Sequence, residues 1–217
     1  MNTLIISGGS IEVGLALELM QESFDHVIGV DAGAAFCREH GIRPDRIVGD
    51  FDTLDPEILQ WYRACTDIEI RQYNPVKDAT DTQIAVELAM ELGSTDITIL
   101  GGTGTRLDHV LGNIQTLYFP FARGVSCRML DGCNRIQLIG GRHVIRRDSQ
   151  YGTCFSLIPL TTDVYGVTVR GAKYPLDRHH FTVLGTGSFG VSNEVSEEQA
   201  EITVESGILI LIESKDG

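Results

Sequence analysis

Three acidic motifs and one glycine loop fall where strands should end. They read Asp31-Ala32-Gly33, Gly49-Asp50-Phe51-Asp52-Thr53, Lys77-Asp78-Ala79-Thr80-Asp81 and Gly101-Gly102-Thr103-Gly104-Thr105-Arg106-Leu107-Asp108-His109. Carboxylates beside a glycine loop that carries one arginine suit a divalent cation and a polyphosphate. Hard cations take oxygen ligands, and phosphoryl chemistry is mostly positioning and charge neutralisation. Phosphoryl or pyrophosphoryl transfer is therefore the first hypothesis.

Each motif also has a purely structural use. Asp50 and Asp52 lie two residues apart, so in an extended chain their side chains share a side and can hold one cation. The same spacing serves an Asx turn or a helix N-cap, since Asp55-Pro56 opens a helix soon after; the company of the other motifs tips the reading toward a metal. Thr80 and Gln83 fit a capping box. That leaves Lys77, Asp78 and Asp81 unexplained. Carboxylates at a helix start favour the helix dipole, but the same N-terminus is a phosphate site that a metal lets carboxylates share. Gly102 and its neighbours allow close backbone approach to a ligand, and Arg106 offers a planar fork for phosphate oxygens. Asp108 reads as a helix N-cap and His109 as solvent-facing or structural. The loop lacks the G-x-x-x-x-G-K-[ST] pattern, and Ser7-Gly8-Gly9-Ser10 is too short for a dinucleotide fingerprint. Later in the chain, Gly190-Val191-Ser192-Asn193-Glu194 is a polar loop, and Tyr174 offers a ring that either stacks on a ligand or packs.

The elements that must position these residues change character along the chain. Short apolar runs at Thr3–Ser7, His26–Val30, Ile47–Gly49, Ile68–Gln72, Ile97–Leu100 and Ser126–Leu130 alternate with helical spacing. Ile84, Leu88 and Leu92 fall on one helical face with Ala85 and Ala89 beside it, and a further helix is expected over Asp108–Leu117. This alternation predicts a mostly parallel sheet with helices on both faces. After about Gly132 helical periodicity fades. Arg135–Ile139, His143–Arg147, Cys154–Pro159, Val164–Val169, His180–Leu184, Glu201–Val204 and Ile208–Ile212 read as strands of a smaller all-β, sandwich-like domain. Ser206-Gly207 between two apolar runs suggests a closing hairpin. The domains expected are residues 1–131, α/β, and 132–217, all β.

The 217 residues carry a net charge of −13, and no basic footprint for nucleic acid is visible. The start, Met1-Asn2-Thr3-Leu4-Ile5-Ile6, lacks the basic residues and long apolar core of a signal peptide, and no apolar run approaches a membrane span. Five scattered cysteines form no C-x-x-C pair. A soluble cytoplasmic protein is the expectation.

In their order, Asp31 to Gly33, Gly49 to Thr53, Lys77 to Asp81, Gly101 to His109 and Ser192-Asn193 resemble thiamine pyrophosphokinase across nearly the whole chain. The resemblance departs at Ala32, where that family usually has glycine, at Thr53, where it usually has serine, and around Tyr174. It implies transfer of diphosphate from ATP to the hydroxyl of thiamine, giving thiamine diphosphate and AMP. It also implies Mg²⁺ dependence and a homodimer whose active sites form between subunits. On this resemblance Asp50, Asp52 and Asp81 hold Mg²⁺ and, with Arg106, form the catalytic set. Asp31, Gly33, Lys77, Asp78, Thr80, Gly102, Arg106 and Asp108 engage ATP or its phosphates. Ser192 and Asn193 contact thiamine from the partner's β domain, so the first domain binds nucleotide and the second thiamine. Two rivals stand beside this reading: a related pyrophosphokinase acting on another ring alcohol such as a pterin, and a non-catalytic nucleotide or metabolite sensor.

Overall fold

A computed structural model describes residues 1–52, 54–74, 79–185 and 189–216. Thr53, Lys77 and Asp78, all singled out above, lie outside the described residues. The chain divides into two compact units, Met1–Gly132 and Cys133–Gly217.

The first unit alternates strand and helix: β1 (Asn2–Ile6), α1 (Val13–Leu19), β2 (His26–Val30), α2 (Ala32–Glu39), β3 (Arg46–Gly49) and α3 (Pro56–Ala64). There follow β4 (Glu69–Gln72), α4 (Asp81–Glu91), β5 (Asp96–Leu100), α5 (Leu107–Thr116), α6 (Tyr118–Phe121) and β6 (Ser126–Leu130). The strands pair in parallel in the order β6-β5-β1-β2-β3-β4. Consecutive residues Leu4, Ile5 and Ile6 are all fully buried, as they must be in a sheet covered on both faces. The chain runs outward from β1 to β4, then returns to place β5 on β1's other side. That reversal makes the carboxyl ends of β1 and β5 a topological switch point, where open α/β sheets leave a crevice.

Local signals explain the helix starts. Asp55 caps α3 by accepting from Glu57 N at 2.8 Å, with Pro56 at the first helical position. Thr80 caps α4 by accepting from Gln83 N at 3.2 Å. The Gln83 side chain also donates to Glu87 at 2.9 Å, one turn further along the helix. Burial on α4 takes in Leu88 with Ala85 and Ala89, as expected, and extends to Thr82 and Val86, while Ile84 and Leu92 are only half-buried. The inner side is thus shifted toward the small residues Ala85 and Ala89, which let the helix sit close against its neighbours.

The second unit holds β7 (Asn134–Arg146), β8 (Cys154–Pro159), β9 (Asp163–Arg170), β10 (Leu176–Thr182) and β11 (Gln199–Ser214), all antiparallel. Its core is a single cluster that includes Ile145, Phe155, Val167, Phe181, Ile202 and Leu211. The hairpin expected at Ser206-Gly207 does not form. Glu201–Val204 and Ile208–Ile212 belong to one strand, β11, and Arg135–Ile139 and His143–Arg147 likewise to β7. Val204 faces Gly141 and Leu209 faces Ile139, so Glu205 to Ile208 bulge opposite Gly140. Gly207 (φ 95°) supplies the bend, and a Cβ there would lie 2.6 Å from the Asp163 carbonyl oxygen. Past the bend β11 exchanges β9 for β8 as its outer partner, which folds the sheet over its own core. The strand expected at His180–Leu184 lies earlier, at Leu176–Thr182, and Val183 and Leu184 are exposed in a turn.

All five cysteines are free. Among the described residues no helix is long and apolar enough to cross a membrane.

Candidate functional site

The switch point of the first unit is a cavity of about 600 Å³. Its floor is built from two loops, Ser7–Ser10 after β1 and Gly101–Arg106 after β5. They continue the β1–β5 pairing past the sheet edge through Ser7 N to Leu100 O (2.8 Å), Gly9 N to Gly101 O (2.9 Å) and Ser10 N to Thr103 O (2.8 Å). A Cβ at Gly9 would sit 2.1 Å from the Thr103 carbonyl oxygen, so only glycine permits this approach. Asn113 of α5, buried, donates to the Gly102 carbonyl at 2.8 Å and pins the loop to the helix that follows it.

Asp31, Thr80, Asp81, Gly102 and Arg106 line this cavity together. Asp31 ends β2 in a left-handed conformation (φ 46°) that side chains rarely adopt. Its backbone is tied at both sides, N to Val48 O at 3.1 Å and O to Ala34 N at 2.9 Å. The carboxylate accepts from Phe51 N at 3.4 Å. It lies against Gly49, where a Cβ would come within 1.7 Å of Asp31 Oδ1. Burial, then the nearby Asp81 and Asp50 charges, push the Asp31 carboxyl up to about 7, against the single opposing hydrogen bond from Phe51; Asp31 and Asp81 also share a hydrogen bond. Two carboxyl groups held at one proton's distance carry too much negative charge to coexist without a proton or a cation.

Gly33 brings α2 down on β1, where a Cβ would meet the Ile6 carbonyl oxygen at 1.9 Å. Asp50 and Asp52 do not stand on one side of an extended chain. Phe51 between them is left-handed (φ 59°), and Asp50 Oδ1 accepts from Asp52 N at 3.1 Å. The segment is an Asx turn, with Asp50 half-buried and Asp52 exposed. Phe51 is the anchor of that turn: it packs with Ala34, Ile47, Leu54, Tyr62 and Ile68. Burying such a ring contributes roughly 2–3 kcal/mol, enough to offset a strained backbone costing roughly 1–3 kcal/mol. Among the described residues no three acidic, histidine or cysteine side chains form a ready metal cage.

Asp108 is not the N-cap of α5. Arg106 holds that position, and Asp108 sits inside the first turn. The two face each other, Arg106 Nε to Asp108 Oδ1 at 3.2 Å and Nη2 to Oδ2 at 2.5 Å, both well exposed. The hydrogen bond lowers the Asp108 carboxyl below its ordinary value and raises Arg106. His109 is exposed and borders the cavity.

Ser192 and Asn193 line a second pocket, of about 440 Å³, inside the second unit. Its walls are mostly apolar and aromatic: Phe155, Leu157, Tyr174, Leu176, Phe181 and Phe189. Ser192 is left-handed (φ 60°), with its N–H donating to Ser156 Oγ at 3.1 Å.

Several lining residues carried no strong sequence signal. Ser7 bonds Thr82 through their buried hydroxyls at 2.6 Å, joining the β1 loop to the start of α4. The Gly8-Gly9 pair directly after an apolar strand was the available clue. Asn113, a buried amide inside a helix, was marked only by its polarity on an inward face.

Comparison with known proteins agrees with these two units. The family model described as "Thiamin pyrophosphokinase, catalytic domain" matches residues 17–129, and "Thiamin pyrophosphokinase, vitamin B1 binding domain" matches residues 142–209. A thiamine pyrophosphokinase of Bacillus subtilis is 36% identical over 191 residues, covering 87% of each chain. A solved thiamine pyrophosphokinase structure from Bacillus subtilis has a TM-score of 0.87 at 32% identity, over all of both chains. One from Geobacillus thermodenitrificans has 0.85 at 30%, over 100% of this chain and 99% of that one. The yeast enzyme, at 19% identity and a TM-score of 0.79 over 98% of this chain and 86% of its own, shares the fold.

Proposed function

The chain belongs to the thiamin pyrophosphokinase family, and from that premise we propose that the acidic cavity of its first unit is where ATP and Mg²⁺ bind. The protein is an ATP-dependent diphosphotransferase that makes thiamine diphosphate and AMP from thiamine and ATP.

The observation that carries the site assignment is the Asp31–Asp81 pair. A carboxyl raised to about 7 by burial and by two neighbouring acids sits in a field that calls for a positive charge, and a bound cation meets that demand as well as a proton does. The donors are all carboxylate oxygens, which fits Mg²⁺ and not a softer metal. Asp50, Asp52 and Asp81 are its proposed ligands, with Asp31 beside them. When bound, the ion would neutralise phosphate charge. The chain's own groups do the rest. The Ser7–Ser10 and Gly101–Thr105 backbones cradle phosphate oxygens, with Gly102 a point of close approach, while Gly33 seats the start of α2 beside them. Arg106 clamps a phosphate through its fork, and Asp108 holds that fork in place. Thr80 sets the start of α4 toward the nucleotide. Lys77 and Asp78 complete the proposed nucleotide contacts.

The second pocket is the proposed thiamine site, so the first unit, near residues 1–131, handles nucleotide and the second, near 132–217, handles thiamine. An aromatic lining suits flat rings, and a cationic ring gains further from aromatic faces. A homodimer with sites shared between subunits, located in the cytoplasm, completes the reading. Sedimentation tests the dimer.

The deciding assay is incubation with ATP, Mg²⁺ and thiamine. AMP and thiamine diphosphate should appear in equal amounts and vanish without the metal. AMP release with a pterin alcohol but not thiamine, or binding of ATP without turnover, would sink the assignment in favour of its rivals.

A further inference from the structure

The amide of Asn193 has no acceptor left for a ligand. Its Oδ1 takes the N–H groups of Tyr174 (3.0 Å) and Glu194 (2.9 Å), and its Nδ2 donates to the Tyr174 carbonyl at 2.8 Å. Its backbone is also spent, since N and O both pair with Phe155 at 2.8 Å. An amide oxygen has two lone pairs, and both are filled. The residue is 9% exposed. It knots together three segments: β8, the 171–174 turn and the 192–194 loop.

Tyr174 is the opposite case. It lines the second pocket, yet is 58% exposed, and its peptide unit is gripped on both its N–H and its C=O by that one amide. Its ring is approached by the Lys173 ammonium at 5.6 Å, and that ammonium is tied to Glu194 at 2.5 Å. Lys173 N also donates to Glu194 O at 2.9 Å, closing a short ladder between the two segments. An exposed aromatic ring on a fully hydrogen-bonded backbone mount is a preorganised contact surface: only its side-chain torsions are left to order when a ring arrives.

We propose that Tyr174 is a specificity-determining wall for the ring of the substrate alcohol, and that Asn193 is a positioning residue that acts through Tyr174. The proposal rests on the reading that the second pocket takes thiamine. Asn193 sets the Tyr174 backbone, Tyr174 touches the substrate, and the strained Ser192 is the link that lets Asn193 turn inward to do so.

A double-mutant cycle on the purified enzyme tests this, with thiamine varied at saturating ATP and Mg²⁺, then ATP varied at saturating thiamine. Tyr174→Ala should raise KM for thiamine by about tenfold, the upper range for one lost aromatic contact, and leave KM for ATP unchanged. Tyr174→Phe should restore most of the loss. Asn193→Ser, too short to bridge Tyr174, should raise KM for thiamine alone but add nothing in the Tyr174→Ala background. Multiplying effects in the double variant would mean that Asn193 meets the substrate itself, which overturns the positioning role and leaves the pocket assignment standing. Unchanged thiamine KM in active single variants would instead overturn the pocket assignment. Parallel losses in kcat, both KM values and melting temperature would reduce the knot to a structural one and overturn the proposal. Should Asn193→Ser fail to fold, Asn193→Asp carries the same cycle: it keeps the oxygen that accepts from Tyr174 and Glu194 and sets a charged oxygen, which cannot donate, against the Tyr174 carbonyl.

Discussion

Replacing Asp31 by asparagine should make the ligand-free protein more stable while disabling it. The Asp31 carboxyl rises from its ordinary 3.8 to about 7, first through burial and then through Asp81 and Asp50. Below pH 4 both folded and unfolded chains hold the proton, and no penalty exists. Between 4 and 7 the unfolded chain releases it and the folded one does not, so stability falls as pH rises. Above 7 the folded site must carry the full negative charge. The interval from 3.8 to about 7 corresponds to roughly 4 kcal/mol at 1.36 kcal/mol per tenfold change in proton affinity. The group is partly open to water, and screening reduces this to about 1–2 kcal/mol. Asparagine keeps the oxygen that accepts from Phe51 and can donate to Asp81, replacing the shared proton. Asp31→Asn should therefore raise the melting temperature at pH 8 by roughly 2–8 °C for a chain this size. The gain should disappear at pH 4, and turnover should be lost. An equal gain at both pH values, or none at pH 8, would refute the electrostatic account of the site.

Asp52→Asn should leave melting unchanged, since Asp52 is exposed and contributes its backbone N–H to the turn. AMP formation at saturating Mg²⁺ should nonetheless fall by more than about tenfold, the loss seen when even the supports of a metal ligand are removed; near-normal turnover would remove Asp52 from the metal site. Arg106→Lys keeps a positive charge and loses the fork, so ATP turnover should drop by at least about tenfold with melting unaffected. An equally active lysine variant would assign Arg106 to its exposed pair with Asp108 alone. In the second unit, Arg135 holds the buried Glu213 through bonds of 2.6 and 2.7 Å. Arg135→Ala leaves that buried carboxylate without a counter-charge, held by the Tyr151 N–H at 3.1 Å, and should cost about 3 kcal/mol in urea unfolding, whereas replacing both residues with apolar ones should recover most of it.

The outline of the first unit was legible because parallel strands buried on both faces are written as continuous apolar runs, and because Asp55-Pro56 and Thr80 mark helix starts by local hydrogen bonds. The second unit was harder for a matching reason. Gly140-Gly141 and Ser206-Gly207 have the composition of hairpin turns, but a glycine pair opposite a four-residue bulge bends two long strands just as well. What separates the cases is which strands flank the glycines, a long-range fact absent from any local window. Asp108 is not the cap because α5 begins one residue before it, at Leu107, which puts Asp108 inside the first turn, where its carboxylate meets Arg106.

The acidic residues of the proposed site stand out in the sequence, but their geometry does not. The expectation for Asp50 and Asp52 assumed extended chain, and Phe51 breaks it. Of the four described non-glycine residues with positive φ, three are Asp31, Phe51 and Ser192. Glycine would adopt each conformation without strain. It would also delete the carboxylate at 31, the core anchor at 51 and the hydroxyl at 192. A chain that keeps side chains at such positions carries roughly 1–3 kcal/mol of strain at each, and must over-determine them from outside. The supports are visible: Val48 and Ala34 around Asp31, the apolar cluster around Phe51, Ser156 and the Asn193 knot around Ser192. Each set includes residues distant in sequence, Val48 for Asp31, Ala34 and Ile68 for Phe51 and Ser156 for Ser192, so the strain is invisible to motif reading and plain in the fold. Relieving it separates the two uses of a residue: Ser192→Gly should hold or raise the melting temperature while raising KM for thiamine. A variant that loses stability and keeps its thiamine KM would show that Ser192 serves the fold and not the pocket.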